Sequence, residues 1–117
     1  MKTISERNRI LNEVKDNCYL AFFDGNPEEG GKEILTGRKK VNFPVATNGY
    51  VKSTNQLDFT GGEEVFGNAT GVAKYWGVYD SEVGGKLLYY FILPYEVRIV
   101  KDSTITIKAG NCVLKEG

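Results

Sequence analysis

Histidine is absent from this 117-residue sequence, which has only two cysteines, one methionine and one tryptophan. Without histidine the commonest general base near neutral pH is missing, and neither a Ser–His nor a Cys–His nucleophile pair can be built. Two cysteines without histidine also make neither a disulfide framework nor a zinc site. The composition therefore excludes hydrolases of those types, and we predict no catalytic residue, no metal and no cofactor.

A dominant charge and a long apolar run are missing too. Lys plus Arg and Asp plus Glu number 15 each, so no overall field attracts nucleic acid or an anionic membrane. No apolar run approaches the roughly 18 residues of a membrane span, and no apolar signal-peptide core follows the N-terminal lysine. We expect synthesis in a cytoplasm, with no nucleic-acid or membrane partner and with local recognition of any other partner.

The two cysteines, Cys18 and Cys112, lie near opposite ends of the sequence. Free cysteine usually behaves as a small buried apolar side chain, and we expect that of both. The alternative is a pair brought together where the first and last strands meet, oxidised only after release from the cell.

Residues 1–16 carry the helical signal of the chain. Thr3 and Glu6 fit a capping box, and Ile4, Leu11 and Val14 fall on one stripe of a helix. Because a helix this short is marginal in water, it needs a surface to lie on, either its own sheet or a neighbouring subunit. We predict that Ile4, Leu11 and Val14 form an assembly interface.

The rest of the sequence predicts short strands separated by turns. They are expected at residues 18–23, 38–43, 56–60, 72–79, 86–93, 96–100, 104–108 and 111–114. CYLAFF at 18–23 and LLYYFIL at 87–93 are continuous apolar runs, typical of strands covered on both faces, and the second is expected to be central. The fold class is therefore all-β, a jelly-roll-like sandwich of about eight antiparallel strands with one short N-terminal α-helix. We expect one domain over 1–117, with the sandwich at 18–115.

Three polar segments have weak functional alternatives. The loop DGNPEEGGKE at 24–33 faintly resembles a calcium loop but lacks its glycine and its last glutamate, so it indicates a solvated hairpin loop. Glu63 and Glu64 could form a carboxylate pair with Asp58 or Asp80, although nothing sets their separation. The basic cluster at 38–40 is typical of edge protection more than of nucleic-acid contact.

The aromatic residues at 75–90 carry more information. A binding platform needs several rings on one exposed face, whereas a core shares them between two covered faces, and the second pattern fits better. We expect these rings mainly in the core and at a subunit interface. The alternative is a sugar-stacking surface that involves Tyr50, Trp76 and Tyr95.

The order of these segments resembles a family of small phage virion proteins, described as tail-fibre or head-decoration proteins. The resemblance rests on YLAFF at 19–23, FGNATG at 66–71, YWGVYD at 75–80 and GGKLLYY at 84–90, and it extends to the last strands. It implies a non-enzymatic structural protein of the virion, made in a bacterial cytoplasm and attached to the capsid or the tail. The partners it implies are other virion proteins, and we expect copies of the chain itself to assemble as a homotrimer or another symmetric oligomer. The alternative is a carbohydrate- or receptor-binding module at a fibre tip.

Overall fold

The computed structural model describes residues 1–34, 37–60, 71–100 and 102–116. Its elements are α1 (Ile4–Val14), β1 (Cys18–Phe23), a 3-10 turn (Pro27–Glu29), β2 (Lys39–Val41), β3 (Tyr50–Lys52), β4 (Leu57–Thr60), β5 (Val72–Tyr79), β6 (Leu87–Arg98), β7 (Thr104–Ile107) and β8 (Val113–Lys115). The prediction of an all-β fold with about eight antiparallel strands and one short N-terminal helix is confirmed. No helix in these ranges is long and apolar enough to span a membrane.

Helix α1 begins at the capping box. The Thr3 hydroxyl accepts a 3.2 Å hydrogen bond from a backbone amide of the first turn. Leu11 is completely buried, and the side-chain oxygens of Asn8 and Asn12 each accept a 2.8 Å hydrogen bond from backbone amides of segment 46–49. The helix therefore packs on its own domain, one of the two surfaces that the sequence left open.

The strands form one four-stranded sheet in the order β2-β1-β5-β6 and two ribbons, β3–β8 and β4–β7. All of these pairs are antiparallel. The pairs β5–β6, β4–β7 and β3–β8 are nested within one another along the chain, as in a jelly roll. The last strand of the sequence, β8, therefore lies beside residues 50–52.

The core lies between the inner face of the four-stranded sheet and the two ribbons. Phe22 of β1 meets Phe59 of β4 edge to face, with ring centroids 4.9 Å apart. The buried apolar residues of this core include Leu11, Cys18, Leu20, Phe22, Ile34, Val41, Val51, Leu57, Phe59, Ala73, Val78, Ile99, Cys112 and Leu114. Trp76 and Phe91 pack against it from the same side of the sheet.

Two strand predictions were wrong in detail. The segments predicted separately at 86–93 and 96–100 form one strand, β6, and β3 arises in a region that was interpreted as turns. The expectation that LLYYFIL is central and covered on both faces is also wrong. The strand β6 lies at the edge of its sheet, and its residues from Leu87 to Phe91 are only half-buried. β1, in contrast, is covered on both faces as predicted.

Candidate interaction surface on the outer face of the sheet

The four-stranded sheet has a second face, directed away from the ribbons, and it carries most of the tyrosines. Alternation along paired strands places Phe23 beside Tyr75, and Gly77 beside Tyr90, on this face. The ring centroids of Phe23 and Tyr79 are 6.1 Å apart, and those of Tyr75 and Tyr90 are 6.3 Å apart. We call this set the outer aromatic face, formed by Tyr19, Phe23, Tyr75, Tyr79, Tyr90 and Ile92.

The loop between β1 and β2 covers part of the outer aromatic face. The Asn26 side chain accepts a 2.9 Å hydrogen bond from the Glu28 amide at the start of the 3-10 turn. The Glu28 carboxylate raises the pKa of the Tyr90 phenol. Among the described residues, no group of three or more His, Cys, Asp or Glu side chains is placed to hold a metal ion. The partner that the structure gives Glu28 is therefore Tyr90, a residue of the sheet.

Arg38 fixes one end of the outer aromatic face. Its guanidinium lies 3.5 Å from the centroid of the Tyr79 ring and makes two hydrogen bonds, of 2.9 and 3.0 Å, to the Glu33 carboxylate. It also donates to the carbonyl oxygens of Ser81 and Gly84, in the turn between β5 and β6. Because the Arg38 side chain is only 10% exposed, these contacts hold the turn rigidly against the sheet.

The other end of this face, along β6, is open. Tyr95 is 80% exposed and Ile92 is 69% exposed. Ile92 is paired with Tyr75, whereas Tyr95 lies in an irregularity of the pairing, where Lys74 alone on β5 faces the β6 residues 93–96. Pro94 lies within this bulge, as is usual for a proline in a sheet. Tyr95, next to Pro94 in this bulge, is thus exposed at the edge of the sheet.

The predicted helical interface residues lie in three different environments. Ile4 is 57% exposed, Val14 is half-buried, and Leu11 is completely buried in the protein's own core. Leu11 must therefore be removed from the predicted assembly interface, because its side chain is unavailable to a partner. For Ile4 and Val14 the interface remains a prediction.

The predicted sugar-binding residues are not brought together. Trp76 lies on the inner face, with its ring centroid 4.7 Å from that of Phe91, and lines a partly open pocket of about 190 Å³. Tyr50 lies in a surface hollow with Lys52, Val113 and Lys115. Tyr95 lies in a different hollow, beside Tyr75. The two exposed tyrosines therefore belong to separate surfaces, and the half-buried Trp76 lies on the opposite face of the sheet from Tyr75.

The carboxylates considered as an acid–base pair have other contacts. Asp58 accepts a 2.7 Å hydrogen bond from Thr106, across the β4–β7 ribbon. Asp80 accepts a 2.7 Å hydrogen bond from the Lys86 amide and so closes the turn before β6. Glu63 and Glu64 lie outside the described residues.

Both cysteines are free and buried. Burial raises the pKa of the Cys18 thiol to about 11 and that of Cys112 to about 12. The Cys18 thiol donates a 3.0 Å hydrogen bond to the carbonyl oxygen of Val14, at the end of the helix. The expectation of small buried apolar side chains is confirmed.

Sequence reasoning missed a contact that joins the two ends of the chain. Glu116 accepts one 2.7 Å hydrogen bond from Lys2 and another from the Tyr89 hydroxyl of β6. Burial and the Glu116 carboxylate raise the pKa of Tyr89, and the Lys2 and Tyr89 hydrogen bonds lower that of Glu116. We call Lys2, Tyr89 and Glu116 the terminal clasp. No local pattern could predict it, because its members are far apart in sequence.

The fold and this surface define a small β-sandwich protein with an apolar sheet edge, which is the kind of surface that proteins use to bind other proteins. Residues 9–115 match the model of a protein family described as podophage GP4 fiber I protein gp80. The chain belongs to this family. It is a structural fibre component of a phage, and so part of a virion, as the resemblance implied. No curated protein matches the chain.

Proposed function

We propose that this fibre component works by assembly and without catalysis, attached to the capsid or tail through contacts with neighbouring virion proteins and with copies of itself. The observation that supports this most directly is the open end of the outer aromatic face. Ile92 and Tyr95 are exposed side by side with half-buried tyrosines, and water contact with such a surface is unfavourable. A protein neighbour that covers this surface removes that cost.

The distribution of hydrogen bonds supports the same function. Arg38 holds the turn at 80–86 against the closed end of the outer aromatic face, so this end is a fixed support for the open one. A rigid surface loses little conformational entropy when a partner docks on it. Rigid apolar surfaces of this kind suit a permanent contact within a fibre.

The test is incorporation of the protein into phage particles. Ile92→Lys places a charge on the open end and is expected to reduce the amount of this chain in purified particles severalfold. Val45→Lys is the matched control, because Val45 is 63% exposed against 69% for Ile92 but lies outside the sheet. Equal incorporation of both variants, with both proteins folded, would contradict the proposed role of this surface.

A second candidate function is recognition of a surface glycan. Tyr50 is 39% exposed and lies directly opposite Lys115 on the β3–β8 ribbon, with Lys52 two residues away. An aromatic ring beside two ammonium groups suits a sugar that bears a negative charge. Binding of bacterial lipopolysaccharide that is lost in Tyr50→Ala and kept in Tyr95→Ala would support recognition at this ribbon, and no binding by the wild type would remove it.

A further inference from the structure

The two edges of the four-stranded sheet differ in a way that points to a specific neighbour. At one edge β2 has three residues, and Lys39 and Lys40 are exposed there. Short strands and lysines are the usual protection of a sheet edge against pairing with another chain. At the other edge β6 has 12 residues and begins LLYYFIL. Within the described ranges, no strand pairs with the outer side of β6.

The β6 sequence is complementary to itself when a second copy runs antiparallel to it. With a two-fold axis at Phe91, residues equally distant from Phe91 lie opposite each other. Ile92 then faces Tyr90 of the copy, a favourable cross-strand pair of a β-branched with an aromatic side chain. Tyr95 faces Leu87, so both strongly exposed apolar residues of the strand gain apolar partners.

The charges select the same register. With the axis at Phe91, Lys86, the residue directly before β6, lies opposite Glu96 of the copy, and the symmetry makes this pair twice. Glu96 is accessible to this partner, because its side chain is 68% exposed and its ion pair with Lys74 is long, at 4.0 Å. An axis at Ile92 would place Lys86 opposite Arg98, a repulsive pair. An axis at Tyr90 would place it opposite Pro94 and leave Glu96 outside the paired segment.

We propose that β6 pairs antiparallel with β6 of a second copy, about a two-fold axis at Phe91, and so joins two four-stranded sheets into one. This inference rests on the proposed assembly function and names one partner for it. Pro94 has no amide hydrogen to donate opposite Leu88, so contact there rests on side chains. Such a two-fold contact produces dimers, a symmetric oligomer other than the expected homotrimer.

The experiment measures the mass of the purified full-length protein by sedimentation equilibrium over a range of concentrations. We expect a dimer for the wild type. Glu96→Lys and Lys86→Glu each replace two attractive pairs by two repulsive ones, and we expect each to weaken dimerisation about tenfold or more. The double variant restores both pairs with the charges exchanged and is expected to dimerise within about threefold of the wild type. Glu82→Lys is the control, since it makes the same charge change in the turn outside β6.

Only a recovery of dimerisation in the double variant supports the Phe91 register. A monomeric wild type, a trimer, or a dimer that is insensitive to these charges would overturn the inference. Incorporation of the same variants into phage particles separates this failure from failure of the proposed function. If Ile92→Lys is lost from particles while the charge variants are kept, the proposed β6 dimer is wrong and the proposed assembly role of the surface stands. If none is lost from particles, the assembly surface is wrong as well.

Discussion

Strands β1 and β6 look alike in sequence and differ in the structure. CYLAFF and LLYYFIL are both uninterrupted apolar runs with several aromatic rings. In β1, between β2 and β5, every residue except Tyr19 is buried, whereas β6 lies at an edge and Ile92 is 69% exposed. An apolar run therefore indicates that a strand will be covered, but not which chain covers it. For β1 the cover is the protein itself, and for β6 we propose a second copy.

The largest expected difference between the two strands is in thiol reactivity. Cys18 at the start of β1 and Cys112 are buried, and burial raises the pKa of each thiol, so labelling at about pH 8 requires unfolding. A cysteine at position 92 is exposed in the free chain. In Ile92→Cys, studied at high dilution, one thiol is expected to react with a maleimide about a thousandfold faster than the other two. The wild-type protein, which has only the two slowly reacting thiols of Cys18 and Cys112, is the control.

Fast labelling of Cys18 in the folded wild type would show that β1 opens as readily as an edge strand. The contrast between the two strands would then be wrong. Slow labelling at position 92 at high dilution would instead show that the open end of the outer aromatic face is already covered within one chain.

The contrast also predicts unequal costs for removing a ring. Phe22→Ala in β1 empties a fully buried site against Phe59, and we expect it to lower the free energy of unfolding by about 3–5 kcal/mol. Phe91→Ala in β6 removes a half-buried ring that contacts Trp76, and we expect about half that loss. Urea unfolding of both variants measures the difference. Equal losses would mean that the β6 edge is as well packed as the centre.

The sequence predicts the fold well because most strands reveal their buried faces by local alternation. In β7, Thr104 and Thr106 are exposed while Ile105 and Ile107 pack against the core, as the pattern indicates. β3 was missed because it has three residues, of which only Val51 is buried. A single apolar position cannot show a period.

The candidate surface is much less predictable. Arg38 lies in a basic cluster that indicates a solvated edge, yet it bonds to the carbonyl of Ser81, 43 residues away, and packs on Tyr79. The exposure of Tyr95 depends on where β6 bulges against β5, which is a property of the pair. Such features follow from strand register, which local patterns do not determine.

Gly77 is where the side chains of β1 and β6 come together over β5. A Cβ atom at this position would lie 2.8 Å from a ring carbon of Phe23, 2.9 Å from Leu87 and 3.0 Å from the Tyr89 carbonyl oxygen. We expect Gly77→Ala to lower the free energy of unfolding by about 1–3 kcal/mol, despite the better strand propensity of alanine. Gly25→Ala is the control, since its Cβ would meet only an ordinary 3.5 Å contact. A neutral Gly77→Ala would show that β6 moves aside easily, which would sharpen its difference from β1.

The smallest effect is expected at the terminal clasp, which anchors Tyr89 of β6 to the end of the chain. Glu116→Gln keeps the shape of the side chain but weakens the hydrogen bonds to Lys2 and Tyr89, and we expect a loss of about 1 kcal/mol at neutral pH. These bonds lower the pKa of Glu116, so they stabilise the fold above the unfolded carboxyl pKa of about 4.3. The stabilisation is lost as the pH falls through the lower folded value, because a protonated Glu116 then resembles glutamine. Urea unfolding should therefore separate wild type and variant at about pH 7, and the separation should shrink as the pH falls below the unfolded carboxyl pKa of about 4.3. Glu82→Gln, in the exposed turn, is the control and should show no such dependence on pH. If the difference in free energy of unfolding between wild type and Glu116→Gln does not change with pH, the terminal clasp holds β6 by shape and not by charge.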